Sequence, residues 1–309
     1  MLLNLISKLV LLEKEYIVSI ADTASWRYKR FFINKKNGKL RAIYHPAKEL
    51  KAIQRVVHDE VLKKLPSHEA SYAYKQGCSV KKHAEMHKGA RYMLRIDFKN
   101  FFESIRTEDI RHFADKKMMS YLEGWTNADT ELLVKLTSFQ EGLTIGSITS
   151  PLLSDAICYD LDVAVFSLAH ELGVKYTRYA DDLYFSTNKK GVLKSIPPKI
   201  EALLLDLKCP HNLKINTAKT HHSSKKSRMM VTGLTITNDN NISIGRTRKR
   251  EIRSQIYKWT NLNDEDKKYL SGYLSYIKSV EPEFINALCC KYGSSKIKEI
   301  IVFNSSGTN

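Results

Sequence analysis

The sequence predicts an α+β fold, and three observations support this prediction. The chain has 309 residues, 43% hydrophobic and 10% aromatic, which suffices for a sizeable core and excludes a wholly disordered protein. Strand-like and helix-like stretches are mixed without the regular strand–helix–strand alternation of a doubly wound sheet. No glycine-rich phosphate loop of the GxxxxGKS/T type is present. The length allows one large domain or two ordinary ones.

The first half of the chain contains helical patterns interrupted by two strand signals. Residues 1–30 show helical spacing, and residues 31–44 read as a hairpin because Asn37-Gly38 favours a tight turn. Apolar residues on one face predict a helix over 48–65. A short apolar strand then runs from 91 to 96 and ends at Asp97, and helical segments follow to about residue 139.

The second half begins with a long apolar helix pattern over residues 151–172, followed by a hairpin over 175–187 rich in aromatic and β-branched residues. A helix is predicted over 192–207. The remaining predicted elements are strands at 213–216, 229–237 and 242–245, then helices to about residue 301 and a polar tail.

The cysteines and the amino-terminal segment indicate the cellular compartment in which the protein works. The five cysteines are odd in number and contain no CxxC pair, which fits neither a disulfide scaffold nor a cysteine zinc site and suits a reducing compartment. The apolar stretch at residues 1–12 is shorter than the ~20 residues that span a bilayer, and it has no basic leader or cleavage site. We therefore expect a cytoplasmic protein with no membrane partner.

The net charge of +17 at neutral pH indicates a polyanionic partner, with nucleic acid as the first candidate. Nine basic residues stand against two acidic ones between Lys225 and Lys258, and several of them precede or lie within a helical pattern. Such cations would contact phosphates and make binding strongly salt-dependent. The alternative is an ordinary solvated helix face, and the sequence leaves the two readings near parity.

Acidic residues give the strongest chemical signal. Asp181 and Asp182 are adjacent in the second hairpin, between strands that offer little polar surface. Asp-Asp in a hairpin is commonly only a polar turn, but like charges this close repel each other unless a cation neutralises them. Asp97 ends an apolar strand and could project into the same cleft. Three converging carboxylates would hold hard cations such as Mg²⁺, and two ions would promote in-line phosphoryl displacement.

Several motifs resemble one known family. Three segments resemble the corresponding motifs of reverse transcriptases: RIDFKNFF (residues 95–102), IGSITSPLLSD (145–155) and TRYADDLYFS (177–186). RAIYHPAKELKAIQ, HAEMH and VTGLTI narrow the resemblance to the bacterial retron reverse transcriptases. The resemblance covers about residues 25–280, and as a set these motifs are highly specific.

The resemblance implies a right-hand polymerase architecture. Residues 1–30 would be an N-terminal helical segment. The fingers would comprise 31–90 and 108–143, and the palm, an antiparallel sheet with helices, 91–107 and 144–240. A helical thumb would occupy 241–309, with a short polar tail.

The family's functional residues can be carried over position by position. Asp97, Asp181 and Asp182 would be the catalytic aspartates that bind two Mg²⁺ ions, and Phe102 would be the aromatic gate against a ribose 2′-OH. The remaining nucleotide-binding candidates are Lys39, Arg41, Gly146, Ser150, Pro151 and Lys219. The last could protonate or neutralise the leaving pyrophosphate. Two departures from the family pattern, Ile145 for Gln and Asp155 for Asn, put side-chain hydrogen bonds of that block in doubt.

Nucleic-acid contacts are implied at three places. Ala84 and His87 of HAEMH would contact a structured RNA, although His83 departs from the usual Asn, and a plain structural helix is an equal alternative. Zinc binding by the two histidines is a weaker alternative, because a third protein ligand is not apparent. Val231, Thr232 and Gly233 would support the primer strand or the same RNA. In the thumb, an RNA–DNA duplex would be held by Arg246, Arg248, Lys249, Arg250 and Arg253.

By resemblance, the protein would be an RNA-directed DNA polymerase of the bacterial cytoplasm. It would use dNTPs to copy part of its cognate noncoding RNA into multicopy single-stranded DNA, primed from an RNA 2′-OH. Antiphage defence with a separate effector protein is a further implication. Two alternatives stay open. One is an intron-encoded or diversity-generating reverse transcriptase, although only about 70 residues follow Asn238, fewer than an intron enzyme usually carries. The other is a non-catalytic RNA-binding scaffold.

Overall fold

The computed structural model describes residues 1–34 and 38–303 and contains two compact units. The first unit comprises residues 1–78 and 92–222, and the second comprises residues 79–91 and the chain from 223 onward. The predicted Asn37-Gly38 turn falls partly, and the polar tail wholly, outside the described residues. Fingers, palm and thumb are functional names that this division does not test, and they stay predictions.

The described residues contain both helices and strands, so the α+β prediction is confirmed. The α-helices are α1 (Leu2–Val10), α2 (Lys14–Asp22), α3 (Lys48–Glu60), α4 (Val80–Glu85), α5 (Phe101–Ser104), α6 (Thr107–Phe113), α7 (Met119–Tyr121), α8 (Asn127–Thr137), α9 (Ser150–Ile157), α10 (Tyr159–Glu171), α11 (Ile196–Asp206), α12 (Arg246–Tyr257), α13 (Asp264–Val280), α14 (Pro282–Tyr292) and α15 (Ser294–Ile301). The strands are β1 (Tyr28–Asn34), β2 (Leu40–Pro46), β3 (Tyr92–Asp97), β4 (Lys175–Tyr179), β5 (Asp182–Thr187), β6 (His221–Ser224), β7 (Met229–Val231), β8 (Leu234–Ile236) and β9 (Ile242–Ser243).

The sheet that carries the acidic residues has the strand order β4-β5-β3-β6. Strand β5 is antiparallel to both β3 and β4. The other edge of β4 is covered by residues 70–72. The Arg178 amide donates to the Ala70 carbonyl at 2.7 Å, and the Tyr72 amide donates to the Arg178 carbonyl at 2.9 Å. The strands that carry the site are therefore paired on both sides.

The core of the first unit lies against this sheet. Leu94 and Ile96 of β3 and Leu183 and Phe185 of β5 are at most 1% exposed. They belong to one apolar cluster that also includes buried residues of α1, α3, α8, α9 and α10. Burial of this apolar surface supplies the main driving force for folding. It also fixes the strand register, because a one-residue slip would expose these side chains.

The second unit contains a separate antiparallel sheet in the order β7-β8-β9, together with α4 and α12 to α15. Its interior includes Ile236, Ile256, Leu274 and Leu288, all at most 5% exposed. The helices after α12 have 17, 11 and 8 residues and are amphipathic, which agrees with the helical pattern predicted for this stretch.

Three sequence predictions about elements were wrong. Residues 151–172 form two helices that meet at Cys158, whose ψ is near 5° and leaves the helical range. Residues 229–237 form two strands, because Thr232 and Gly233 take left-handed conformations and make the tight turn of a hairpin. Residues 213–216 contribute only an isolated bridge between Ile215 and Phe98.

The five cysteines are all free thiols. Among the helices of the described residues, none combines the length and apolar character needed to cross a bilayer.

Candidate active site

Asp97 and Asp182 lie directly opposite each other in the sheet. Residues 92–97 of β3 pair with 182–187 of β5, so the last residue of one strand faces the first residue of the other. Paired residues of antiparallel strands project to the same face, with Cβ atoms about 4.5–5.5 Å apart. The Phe98 amide donates to the Asp181 carbonyl at 3.1 Å, which extends the pairing into the turn. The structure thus brings the three predicted aspartates to the same end of the sheet, although Asp97 and Asp181 are 84 residues apart along the chain.

A two-residue turn, Ala180-Asp181, joins β4 to β5. Ala180 has a φ of +55°, a left-handed conformation that costs an L-residue about 1–2 kcal/mol. Backbone strain of this kind persists only where the surrounding structure holds it, and it is concentrated at functional sites. The turn that presents Asp181 is therefore held by its surroundings rather than by local preference.

Negative charge accumulates at this turn. Burial, followed by the charge of Asp97, raises the pKa of Asp181. Burial and then the charge of Asp181 raise the pKa of Asp182 to about 6, although Arg95 and a hydrogen bond from Tyr184 act in the opposite direction. The Arg95 Nε lies 3.8 Å from an Asp182 carboxylate oxygen, too far for a hydrogen bond. The carboxylates therefore repel one another with only partial compensation from nearby cations.

Lys219 provides the closest positive charge. Its Nζ lies 2.9 Å from both carboxylate oxygens of Asp97. Asn216 donates to the same carboxylate through Nδ2 at 3.0 Å and to the Asp97 carbonyl through its amide at 2.7 Å. A 3₁₀ turn, Thr217–Lys219, follows Asn216 and returns the lysine to the strand end. The structure thus places Lys219, the predicted pyrophosphate-facing lysine, against the carboxylate of Asp97, which is predicted to be catalytic.

The three carboxylates have the right chemistry for a hard divalent cation, because Mg²⁺ prefers oxygen ligands and carboxylates in particular. The raised pKa values of Asp181 and Asp182 indicate that positive charge would stabilise their ionised forms. Among the residues that the structure describes, no group of three acidic, histidine or cysteine side chains is arranged as a metal site. Lys219 holds both oxygens of Asp97, so binding of a metal ion there requires the lysine to move away.

A cavity of about 550 Å³ opens beside the acidic turn. Its walls include Arg41, Phe102, Asp181 and Lys219, four of the residues that the sequence predicts to be catalytic or nucleotide-binding. The hairpin β1-β2 supplies a further part of the wall with Leu40, Ala42 and Tyr44. Lys39 is exposed and lies outside the lining residues. A cavity of this size suits a nucleotide-sized ligand.

The predicted block at Gly146, Ser150 and Pro151 lies behind this wall. The Ile145 carbonyl accepts from the Tyr44 amide at 2.8 Å, and the Ser150 Oγ accepts from the Thr144 amide at 3.2 Å. Ser150 is 1% exposed, and Pro151 occupies the first turn of α9. In this structure, the wall is supported by the Ile145 carbonyl and the Ser150 hydroxyl, neither of which depends on the side chain at 145, so the Gln-to-Ile departure leaves that support intact.

Tyr74 is a cavity residue that sequence reasoning missed. It has a φ of +61° and lies in the cavity wall near Asp181. Burial, and then the charge of Asp181, raise its pKa to about 12, so its hydroxyl stays protonated at neutral pH. The neighbouring Gln76-Gly77 indicates a turn, but a sequence pattern does not predict a left-handed tyrosine.

The HAEMH segment lies in α4 and the turn after it, within the second unit. Ala84, His83 and His87 are 0% exposed, so their side chains lie in the interior. The two imidazole rings are 5.8 Å apart. Within the described chain they have no third ligand for zinc. Their predicted role in RNA binding stays a prediction. Val231 is likewise buried, whereas Gly233 is exposed at the hairpin turn.

Burial of His83 predicts a dependence of stability on pH. Burial lowers its pKa from 6.5 to about 4, so the folded protein resists a proton that the unfolded chain accepts. Stability should therefore fall as the pH drops from about 6.5 towards 4, by about 2 kcal/mol at pH 5 from this group. His83→Asn should remove that part of the decrease. Urea unfolding at pH 7 and pH 5 measures it, with His170→Asn, at an exposed position of α10, as the matched control. An equal decrease in the wild type and in His83→Asn would contradict this prediction.

The basic helix α12 divides its cations between two environments. Lys249 forms an ion pair with Glu281 and lies 5.0 Å from the Phe284 ring centroid, and Arg253 lies 5.1 Å from the same centroid. Arg248 pairs with Glu251 at 2.9 Å. Arg246 and Arg250 are exposed and, four residues apart, share a helix face. These two arginines are the best placed of the predicted set to contact phosphates.

The comparisons with known proteins agree with this geometry. A family model described as reverse transcriptase (RNA-dependent DNA polymerase) matches residues 33–236. The chain is 31% identical to the retron Ec83 reverse transcriptase of Escherichia coli over 299 residues, covering 95% of this chain and 96% of that protein. It is 35% identical to the retron Ec73 reverse transcriptase of Escherichia coli over 275 residues, covering 85% and 86%.

Among solved structures, the fold resembles a telomerase from Candida albicans in complex with a TWJ fragment of telomeric RNA. The TM-score is 0.50 with 12% identity, and the match covers 90% of this chain and 61% of that one. At this identity the likeness concerns the fold alone.

Proposed function

Because the chain belongs to the reverse transcriptase family and is an RNA-directed DNA polymerase of the retron type, we propose that it copies part of its own structured noncoding RNA into single-stranded DNA. Priming would use a 2′-OH of that RNA, so the DNA product would stay joined to it. The observation that carries the proposal is the pairing of Asp97 with Asp182 beside Asp181, at the wall of a nucleotide-sized cavity.

The proposed reaction is attack of the primer hydroxyl on the α-phosphate of a dNTP, with release of pyrophosphate. Reverse transcriptases generally use divalent metal ions, and we infer that two Mg²⁺ ions are held by Asp97, Asp181 and Asp182. Such a pair would stabilise the attacking and leaving oxygens. The protein would orient the nucleotide through the cavity wall, with Phe102 positioned against a ribose 2′-OH and Arg41 near the triphosphate.

Lys219 would have two positions in this cycle. With the site free of substrate it neutralises Asp97 through its two 2.9 Å contacts. When the carboxylate is engaged, the released ammonium is available to the negative charge of the leaving pyrophosphate. The long lysine side chain has enough rotatable bonds for such a movement.

The RNA template is the partner implied by the family, and we propose that its duplex with the new DNA lies along α12. Replacing both Arg246 and Arg250 by glutamine should weaken binding at low salt. It should also flatten the slope of log affinity against log salt by about 1.4–1.8 units, at roughly 0.7–0.9 per lost phosphate contact. Fluorescence anisotropy with labelled RNA–DNA duplex from 50 to 300 mM salt measures this.

The matched control for this experiment is Lys278→Gln combined with Lys298→Gln, which removes two exposed charges from α13 and α15 of the same unit. It should change the slope by much less. Equal flattening by the two double variants would indicate a general charge effect and would contradict the assignment of α12.

Co-expression tests the proposed function. The chain is expressed with the noncoding RNA encoded beside it, and the nucleic acid that copurifies is sequenced before and after ribonuclease treatment. We expect single-stranded DNA complementary to part of the RNA, still carrying residual ribonucleotides at its 5′ end after ribonuclease treatment. The Asp182→Asn variant should yield the RNA alone. DNA with a free 5′ end would contradict 2′-OH priming. DNA in the Asp182→Asn sample as well as in the wild-type sample would contradict the aspartate assignment.

Antiphage defence with a separate effector protein is a further part of the proposal, resting on the family alone. Phage plating on cells that carry the complete operon, with the wild type or Asp182→Asn, tests it. Protection that is lost in the variant would support a role that needs DNA synthesis. Two other functions remain as alternatives: another type of bacterial reverse transcriptase, and a non-catalytic RNA-binding scaffold. The co-expression experiment separates both from the retron reaction.

A further inference from the structure

A buried cluster of charged residues lies directly behind the acidic turn. Arg178 of β4 is 0% exposed and is among the largest fully buried side chains. Its Nε and Nη2 donate to the two carboxylate oxygens of Asp162 at 2.8 and 2.5 Å, in a bidentate arrangement. Its Nη2 also donates to Asp155 at 2.8 Å. Burial alone would lower the pKa of Arg178, but the carboxylate of Asp162 and other neighbours outweigh it and raise that pKa, so the guanidinium stays charged.

Two further hydroxyl groups complete the cluster. Tyr176 donates to an Asp162 carboxylate oxygen at 2.7 Å, and Ser71 donates to Asp155 at 2.5 Å. Ser71 belongs to the segment that covers the edge of β4 and leads to Tyr74. Asp155 is the position where the family usually has Asn, and here its carboxylate accepts from both Arg178 and Ser71. A buried ion cluster of this kind is weak evidence for stability, so its role needs another explanation.

The remaining donor of Arg178 provides that explanation. Its Nη1 donates to the Ala180 carbonyl at 3.3 Å. This carbonyl belongs to the peptide bond that links Ala180 to Asp181, and Ala180 is the turn residue with the strained φ of +55°. The guanidinium therefore fixes the orientation of the Ala180–Asp181 peptide plane. Its other donors are held by the buried carboxylates of Asp155 and Asp162. Without this bond, Ala180 could relax towards a right-handed or extended conformation and redirect Asp181.

We propose that Arg178 is a positioning residue for catalysis, which holds the Ala180-Asp181 peptide in the left-handed turn that presents the catalytic aspartates. This inference rests on the proposed function, because it requires Asp181 and Asp182 to act in the reaction. Asp155 and Asp162 then serve to fix the guanidinium, and the buried arginine supports a turn whose backbone is strained.

The test compares Arg178→Lys with Val165→Ala. Lysine keeps the charge but lacks the planar fork, so it cannot bond both carboxylates and the Ala180 carbonyl together. Val165 is 0% exposed on α10 and forms part of the core, so the alanine variant reports general destabilisation. We expect kcat for single-nucleotide addition to fall 10- to 100-fold in Arg178→Lys with KM for dNTP changed less than threefold. Val165→Ala should keep both constants within twofold.

Hydrogen exchange gives a readout that does not depend on activity. Amides in a peptide covering residues 176–187 should exchange at least tenfold faster in Arg178→Lys than in the wild type. In Val165→Ala, any increase in the exchange rate of these amides should be no larger than the increase in the rest of the core. If Arg178→Lys does not fold, Asp162→Asn is the milder variant, which removes the charge but keeps one acceptor, and it should show the same changes to a smaller degree.

Unchanged exchange and unchanged kcat in the arginine or Asp162 variant would overturn the proposal, as would equal losses in Val165→Ala. If the wild type makes no DNA, the proposed function fails, and the exchange data still decide whether Arg178 holds the turn.

Discussion

Asp181→Asn should reduce DNA synthesis by about 10³-fold or more while the protein folds normally. An amide keeps the size of the side chain but cannot carry the negative charge that a divalent metal ion requires. Charge stabilisation by such ions is worth several kcal/mol in the transition state, and each 1.36 kcal/mol corresponds to tenfold in rate. Primer extension on an RNA template, with kcat and KM for dNTP determined separately, measures the effect.

The same substitution should leave the metal-free protein at least as stable as the wild type. Burial and the charge of Asp97 raise the pKa of Asp181, so in the absence of metal its ionised form is held against repulsion. Removing that charge relieves the repulsion. Thermal unfolding in EDTA should therefore give an equal or higher Tm for Asp181→Asn.

The matched control for both measurements is Asp206→Asn, an exposed position at the end of α11. It should change neither synthesis nor Tm. Wild-type synthesis by Asp181→Asn would contradict the assignment of this carboxylate, and a large decrease in Tm would indicate a structural role instead.

Gly146→Ala should destabilise the first unit by about 3 kcal/mol or more, through two separate effects. Gly146 has a φ of +108°, which costs other residues about 1–3 kcal/mol. A Cβ there would lie 2.5 Å from the Tyr44 carbonyl oxygen and 2.7 Å from the Ile43 Cγ2. The first contact is with backbone, which cannot rotate away, so the hairpin β1-β2 would have to separate from residues 145–146. That movement would open the cavity wall, and DNA synthesis should fall with stability.

Gly191→Ala isolates the backbone effect. Gly191 also has a positive φ, +86°, but nothing lies within 4 Å of the position that its Cβ would occupy. We expect this variant to lose only about 1–2 kcal/mol and to keep its activity. Urea unfolding compares the two. An equal loss of stability in both variants would show that the close approach of residue 146 to the Tyr44 carbonyl adds nothing to the free-energy cost. It would contradict the claim that Gly146 is required for this close approach.

Much of the site could be predicted because short-range patterns determine it. An apolar strand that ends in Asp97, and a hairpin with Asp181 and Asp182 at its centre, each follow from local alternation and turn chemistry. Their convergence is a long-range event, decided by which buried strands pair. Periodicity does not predict that pairing, and only the resemblance to reverse transcriptases implies it.

Other features lay beyond the sequence for physical reasons. The left-handed turn at Thr232 and Gly233 splits one predicted strand into two, because a single pair of residues can reverse a chain that otherwise alternates like a strand. The burial of His83 and His87 depends on what packs over α4, and not on the polarity of the side chains. Likewise, the basic residues of α12 look equivalent in sequence, but neighbours on another helix engage Lys249 and leave Arg250 exposed.

The departure of Asp155 from the family's Asn illustrates the same limit. In sequence it only puts a hydrogen bond in doubt. In the structure, its carboxylate accepts from Arg178 and Ser71, so the acidic residue matches a buried cation that lies 23 residues away. A change that looks unfavourable locally is compensated by a contact that only the folded chain contains.

In the proposed reaction Asp97, Asp181 and Asp182 form one divalent metal site, and binding of Mn²⁺ as a substitute for Mg²⁺ measures that site itself. Electron paramagnetic resonance counts free and bound Mn²⁺ in the wild type, in the three single Asp→Asn variants and in Asp206→Asn. We expect each of the three site variants to bind Mn²⁺ at least tenfold more weakly than the wild type, while Asp206→Asn binds it equally well. Wild-type binding by Asp97→Asn, with binding lost only at 181 or 182, would contradict the claim that residues from two distant strands share the ion.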